Sequence, residues 1–340
     1  MKLKLILLLV ILAVAIFLLQ KNQVLHTNQI IPRIKIPNQN PHPLSIESMR
    51  QRNYPGSDIV IEESLASNGN YNEYVTSYKS DGLKIFALLT VPQGEKPKNG
   101  WPVIIFNHGY IAPEQYKTTE RYVAYVDGFA RSGYIVFKPD YRGNGNSQGE
   151  PEGAYYSTAY SVDVFNAVSS IKRYKDANPG KIGMWGHSLG GNITLRNIVV
   201  DTKDVKAAVI WGGVVGSYED LMFNWQRRVP FTPSPRQLAL RNRFRQEIVD
   251  KYKDPRQNPE FWNSIDPTHH LSDLTAPIQL DVGGSDEEVP VAFSKSLYEK
   301  LKSAGKVVEY YEYSGSDHNI SQGFNLAMQR SVDFFNRYLK

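Results

Sequence analysis

Short apolar runs alternate along this chain with longer stretches of helical periodicity. Lys84–Leu89, Val103–Phe106, Tyr134–Phe137, Ile182–Trp185, Ala207–Trp211, Ile278–Val282 and Val307–Tyr313 have the length and the β-branched or aromatic content of strands. Ile193–Asp201 and Ser321–Leu339 read as helices. This βα alternation predicts an α/β fold, a mostly parallel central sheet with helices on both faces. Active sites in such sheets form beyond the carboxyl ends of strands. One break in the rhythm stands out. Between Ala207–Trp211 and Ile278 lies an insertion, about 214–275, in which Leu240, Phe244 and Ile248 share one helical face. A small helical lid is expected there.

The amino end follows another pattern. Lys2 and Lys4 precede fifteen uninterrupted apolar residues, Leu5–Leu19, and no small-x-small cleavage site follows. Residues 1–22 are therefore expected to be a signal-anchor or transmembrane segment, with the catalytic domain outside the cytoplasm, or secreted if the signal is cleaved. Residues 20–45 are rich in Asn, Gln and Pro, as an extended linker would be. The expected organisation is anchor at 1–22, linker and N-terminal extension at 23–70, and one catalytic domain at 71–340.

Chemistry enters at Gly186-His187-Ser188-Leu189-Gly190, a G-x-S-x-G directly after a strand run and before a helix. That context defines a nucleophile elbow, a tight turn that exposes one serine; its flanking glycines avoid clashes with the neighbouring strand and helix. Three histidines follow Ser188: His269, His270 and His318. His318 occupies a loop just after Val307–Tyr313, where a base is exposed yet held by a rigid scaffold. Asp286 follows Ile278–Val282 and a Gly-Gly turn, and is the candidate acid over Asp281, Glu287, Glu288 and Asp317. The order Ser188, Asp286, His318 is that of the α/β-hydrolases. The oxyanion hole is expected from the backbone N–H of Leu189 and of Tyr110, in the loop after Val103–Phe106. Asp140 and His108 read as loop-fixing residues, and His187 as a packing residue. Tyr110, Phe223, Trp225 and Phe231 are candidates for an apolar acyl pocket.

With SDGLKIFALLTVP (Ser80–Pro92), FNHGY (Phe106–Tyr110), KPDYRGNGNSQG (Lys138–Gly149), WGHSLGG (Trp185–Gly191), GGSDEEVP (Gly283–Pro290) and SDHN (Ser316–Asn319) in that order, the chain resembles the prolyl oligopeptidase-like catalytic domain of the α/β-hydrolase superfamily. The resemblance implies a serine hydrolase that cleaves esters or peptide bonds through an acyl-serine intermediate, with no cofactor and no metal. Oligopeptidases of that family carry a β-propeller ahead of this domain. Only about fifty residues separate the apolar segment from the first core strand, too few for several blades.

Composition narrows the field further. There is no cysteine, which excludes disulfides and thiolate chemistry. The net charge of +5 is mild for 340 residues and makes no case for nucleic acid. The insertion is locally basic: Arg227, Arg228, Arg236, Arg241, Arg243 and Arg245 occur with no acid between Leu221 and Gln246. Either they form a solvated face, or they attract anionic headgroups or a substrate carboxylate. The expected partners are a small ester or peptide substrate and, through the N-terminal helix, a membrane. A carboxylesterase or lipase acting at the membrane is the alternative within the enzyme class, together with an acyl transferase. A non-catalytic binding protein on a hydrolase scaffold is the alternative outside it.

Overall fold

The computed structural model describes residues 41–67 and 69–340. The run Leu5–Leu19 and most of the Asn/Gln/Pro segment lie outside the described residues. Among the described residues, no helix is long and apolar enough to cross a membrane.

Among the described residues, nine strands form one sheet: β1 (Val60–Ser64), β2 (Tyr71–Ser80), β3 (Leu83–Pro92), β4 (Trp101–Asn107), β5 (Ile135–Pro139), β6 (Ala177–His187), β7 (Val205–Trp211), β8 (Ile278–Gly283) and β9 (Val308–Tyr313), in the order β1-β2-β3-β5-β4-β6-β7-β8-β9. From β5 to β9 all neighbours run parallel. The first three strands add antiparallel to that block. Two of them, β1 and β2, have no counterpart among the apolar runs of the sequence. β1 is exposed at every position, an edge strand of VIEES that buries nothing. β2 alternates polar residues with tyrosines and carries little aliphatic signal.

Strand alternation sorts the core. On β4, Val103 and Ile105 join the cluster on one face, whereas Ile104 and Phe106 join the other. The first face is covered by α1 (Ile46–Gln51), α3 (Ala159–Ile171), α4 (Leu189–Val200) and α7 (Val291–Ser303). The second is covered by α2 (Val123–Arg131) and α8 (Phe324–Leu339). The described part of the N-terminal extension, from residue 41 on, is integral to this unit. Ile46 and Met49 of α1 are buried in the main core, and Arg50 donates to the carbonyl of Val199 at the end of α4 (2.7 Å).

The insertion follows β7 and holds α5 (Pro235–Tyr252), α6 (Pro259–Ile265) and short turns. It packs through its own small cluster of Tyr218, Ile248, Trp262 and Ile265, with Leu44 of the extension.

Candidate active site

Ser188 sits between β6 and α4 with φ 54° and ψ −118°, a left-handed conformation costly for a residue with a Cβ. The flanking glycines make the turn possible. A Cβ on Gly186 would lie 2.3 Å from Thr194 Oγ1, and one on Gly190 would lie 1.9 Å from the carbonyl oxygen of Asn107. Ser188 N–H donates to Trp211 O (3.0 Å), and Ser188 O accepts from Val214 N–H (3.0 Å). The strained residue is thereby tied to the strand next door.

The loops after β8 and β9 bring the candidate acid and the candidate base together. His318 Nδ1 is 2.7 Å from Asp286 Oδ2, and both side chains are buried. Asp286 Oδ1 accepts from the N–H groups of Glu288 (2.8 Å) and Val289 (2.9 Å), which fixes the carboxylate. Among the described residues no other carboxylate bonds the His318 ring. Asp281 lies in β8 and accepts from Tyr313 Oη and Gln279 Nε2 (both 2.7 Å). Burial pushes its pKa up to about 7. Glu288 pairs with Arg227, and Asp317 caps its own loop through Asn319 N–H, Ser321 N–H and the Ser321 hydroxyl. His269 and His270 lie at the 3₁₀ turn Pro267–His269, away from Ser188, with His270 bonded to Asn263 O.

His318 Nε2 is buried without a hydrogen-bond partner among the described residues. It borders the same cavity as Ser188, and no hydrogen bond joins the two groups in this geometry. The N–H groups of Tyr110 and Leu189 likewise donate to no acceptor among the described residues, and both residues line a cavity with Ser188. Leu189 is the first residue of α4, so its N–H belongs to the partially positive end of that helix.

His187 does more than pack. Its Nε2 lies 3.1 Å from the carbonyl oxygen of His318, and its Nδ1 lies 2.7 Å from Tyr122 Oη. Burial, aided by the nearby His318, holds its pKa down to about 3, so the ring is neutral. A carbonyl can only accept, so Nε2 carries the proton and Nδ1 accepts from the Tyr122 hydroxyl. That hydroxyl in turn accepts from Gly109 N–H (2.9 Å). One chain of hydrogen bonds thus ties the loop carrying Tyr110 to the loop carrying His318. Tyr122 sits at φ 54°, beside Arg121 at φ 61°. The sequence offered one signal for this pair, a histidine beside the nucleophile; the tyrosine arrives from 65 residues away.

Two residues that the sequence marks as loop-fixing touch that same loop. His108 Nδ1 lies 2.7 Å from Gly109 O, and its ring stacks between those of Tyr116 and Tyr141. Asp140 accepts from Tyr116 Oη (3.0 Å) and Thr118 Oγ1 (2.5 Å), and burial raises its pKa to about 6.

Two cavities flank Ser188. The first, about 450 Å³, includes His318, Asn319, Tyr122 and Arg121. The second, about 370 Å³, includes Leu189, Tyr155, Trp225 and Leu238. Tyr110, Arg227 and Phe231 border both. Phe223 borders neither; it lies exposed under the Arg256 guanidinium, 4.2 Å from the ring centre. The insertion is anchored at the rim. Trp225 Nε1 donates to Glu288 O (2.9 Å), Arg228 donates to Asp286 O (3.0 Å), and Ser234 N–H donates to Tyr110 Oη (2.7 Å). Among the described residues no group of three or more His, Asp or Glu is placed to hold a metal ion.

Comparison with known proteins places this geometry in context. The profile of the family described as X-Pro dipeptidyl-peptidase (S15 family) matches residues 81–234. A Bacillus subtilis (strain 168) protein described as the uncharacterized peptidase YtmA is 26% identical over 248 residues, covering 72% of this chain and 85% of that one. Porphyromonas gingivalis dipeptidyl peptidase 4 superposes with a TM-score of 0.57 at 19% identity, over 80% of this chain. This chain spans only 36% of that structure's length. The acetyl xylan esterase from Paenibacillus sp. R4 superposes with a TM-score of 0.63 at 16% identity, over 86% of this chain and 92% of the esterase.

Proposed function

We propose that this chain, which has the α/β-hydrolase fold, is a serine hydrolase in which Ser188, His318 and Asp286 form the triad, and that it cleaves carboxylic esters or amides. The single observation that carries this reading is the 2.7 Å bond from His318 Nδ1 to Asp286, with Nε2 left free at the cavity wall beside Ser188.

Asp286 holds the proton on Nδ1, which leaves Nε2 basic. As Ser188 Oγ attacks the carbonyl carbon, Nε2 takes its proton, and the carbonyl oxygen gains charge facing the N–H groups of Tyr110 and Leu189. The C–O or C–N bond to the leaving group then breaks, and His318 returns the proton to the departing oxygen or nitrogen. Water repeats the sequence on the acyl-serine, giving the acid and free Ser188. The left-handed backbone of Ser188 is the turn that holds the nucleophile at the carboxyl end of β6.

Ester and amide substrates are separated by a rate comparison on the full chain. kcat/KM for short and long p-nitrophenyl esters is set against that for N-blocked and free aminoacyl p-nitroanilides, with Ser188→Ala as the blank. Ester turnover alone makes it a carboxylesterase. Serine-dependent anilide turnover, which the S15 profile match favours, makes it a peptidase. Absence of both in the folded protein defeats the proposal. The run Leu5–Leu19 supports a tether to a membrane; a soluble protein before deletion of residues 1–22 would refute that.

A further inference from the structure

The two cavities beside Ser188 are not equivalent. His318, which hands a proton to the leaving group, borders the first and not the second. Leu189, an oxyanion donor, borders the second and not the first. On the catalytic reading above, on which this inference rests, the leaving group occupies the first cavity and the acyl group the second.

The acyl cavity is apolar beside the nucleophile, with Leu221, Met222, Trp225, Phe231 and Leu238 in its wall. Arg241 and Arg245 of α5 also border it. Leu238, Arg241 and Arg245 follow one another at spacings of three and four, so one helix face turns all of them toward the cavity. Among the arginines of the insertion their charges are singular. Arg227 pairs with Glu288, Arg236 with Glu150 and Arg243 with Glu247, while Arg228 donates to Asp286 O. Arg241 and Arg245 have no ion pair or hydrogen bond among the described residues. One carboxylate, Glu152, borders the cavity, and its Oε2 accepts from the Ser157 hydroxyl (2.6 Å). Two like charges four residues apart on a helix repel, and an anion between them relieves that repulsion while gaining charge-assisted hydrogen bonds.

We propose that this cavity selects acyl groups that are apolar next to the scissile carbonyl and end in a carboxylate, held by Arg241 and Arg245. Such a site opposes an ammonium end, which the amino-terminal acyl part of a dipeptide-releasing substrate carries.

The test uses the full chain and two esters of equal chain length, p-nitrophenyl hexanoate and mono-p-nitrophenyl adipate. Wild type is expected to favour the adipate by about tenfold in kcat/KM, the value of one charge-assisted contact. The preference should shrink with added salt. In Arg241→Gln/Arg245→Gln the ratio of the two rates should fall to near one, while Arg236→Gln, on the paired arginine, leaves it unchanged. Equal or faster turnover of the hexanoate by wild type overturns the proposal. So does a preference that survives the double substitution, or preference for an ammonium-ended ester abolished by Glu152→Gln. If the double variant loses affinity for anionic vesicles with the ester ratio unchanged, the arginines serve a membrane surface and the proposal falls. Binding of monomethyl adipate against methyl hexanoate to Ser188→Ala, read by tryptophan fluorescence, decides the matter without turnover. Arginine-dependent adipate binding sustains the subsite even if the triad assignment fails. Ester turnover with no such binding removes the subsite and leaves the triad.

Discussion

The helix behind the nucleophile and the main helix of the insertion are built on opposite plans. All twelve residues of α4 are buried, and its first turn is clamped between β4 and β7. In α5 only Gln237 and Ile248 of eighteen residues are buried. A Cβ added at Gly190 has nowhere to go, whereas most α5 side chains can change without touching the core. The proposed bond-making groups therefore sit where packing tolerates no displacement, and the arginines proposed to face the acyl chain sit where it tolerates much. Geometry is fixed by the sheet, and the proposed selectivity rests on an element whose side chains are free to vary.

Substitutions on the two sides should separate by orders of magnitude. The largest effect is expected from Ser188→Ala, a loss in kcat on the order of 10⁴–10⁶-fold without unfolding, checked by burst kinetics and circular dichroism. Substantial residual turnover would move the nucleophile elsewhere. Next comes Asp286→Asn, which leaves His318 with the wrong tautomer and is expected to cost on the order of 10³–10⁴ in kcat. Glu288→Gln, two residues along the chain, should cost under about tenfold, because it loses an ion pair with Arg227 rather than a proton-holding group. A reversed ranking refutes the choice of acid. A smaller step, about tenfold in kcat with KM little changed, is expected from Tyr122→Phe. That variant leaves Gly109 N–H and His187 Nδ1 without their shared hydroxyl, and a change confined to KM would show that the hydroxyl does not hold the oxyanion loop.

Two expectations concern stability. Asp281 has its pKa raised by burial from 3.8 to about 7, so below pH 4 it is protonated in both states and its contribution is full. As pH rises through 7 the folded state must give up a proton it holds more tightly than the unfolded chain, and that contribution is lost. Wild type should therefore lose on the order of 2–3 kcal/mol relative to Asp281→Asn between pH 5 and pH 8, measured by urea denaturation. A pH-independent difference would mean that the carboxyl does not titrate there. The smallest effect should come from Ser234→Ala, which removes the N-cap of α5 and its bond to Glu114 at a cost of about 1 kcal/mol. Catalysis on a neutral ester should survive it.

The parallel core was legible because its strands are buried on both faces and read as continuous apolar runs. The elbow was legible because backbone crowding dictates glycine at fixed offsets from Ser188. What escaped was of two kinds. β1, β2 and α1 are short or half-exposed, and they owe their structure to partners distant in sequence, as Arg50 does to Val199. The connection from Tyr122 through His187 to His318 is tertiary throughout, and the neutral state of His187 follows only from its burial. The charge state of the insertion was also invisible. Six arginines in sequence look alike until the fold supplies acids to three and a carbonyl to Arg228, and leaves Arg241 and Arg245 without a partner among the described residues.

The hydrogen-bonded path from Gly109 to His318 carries a lesson for how such an enzyme changes over generations. Because one neutral histidine anchors both loops, a substitution that shifts either is felt at the other, and paired changes there should depart from additivity. Lineages exploring new chemistry would have to alter the two loops together, or leave both alone and do their exploring on α5.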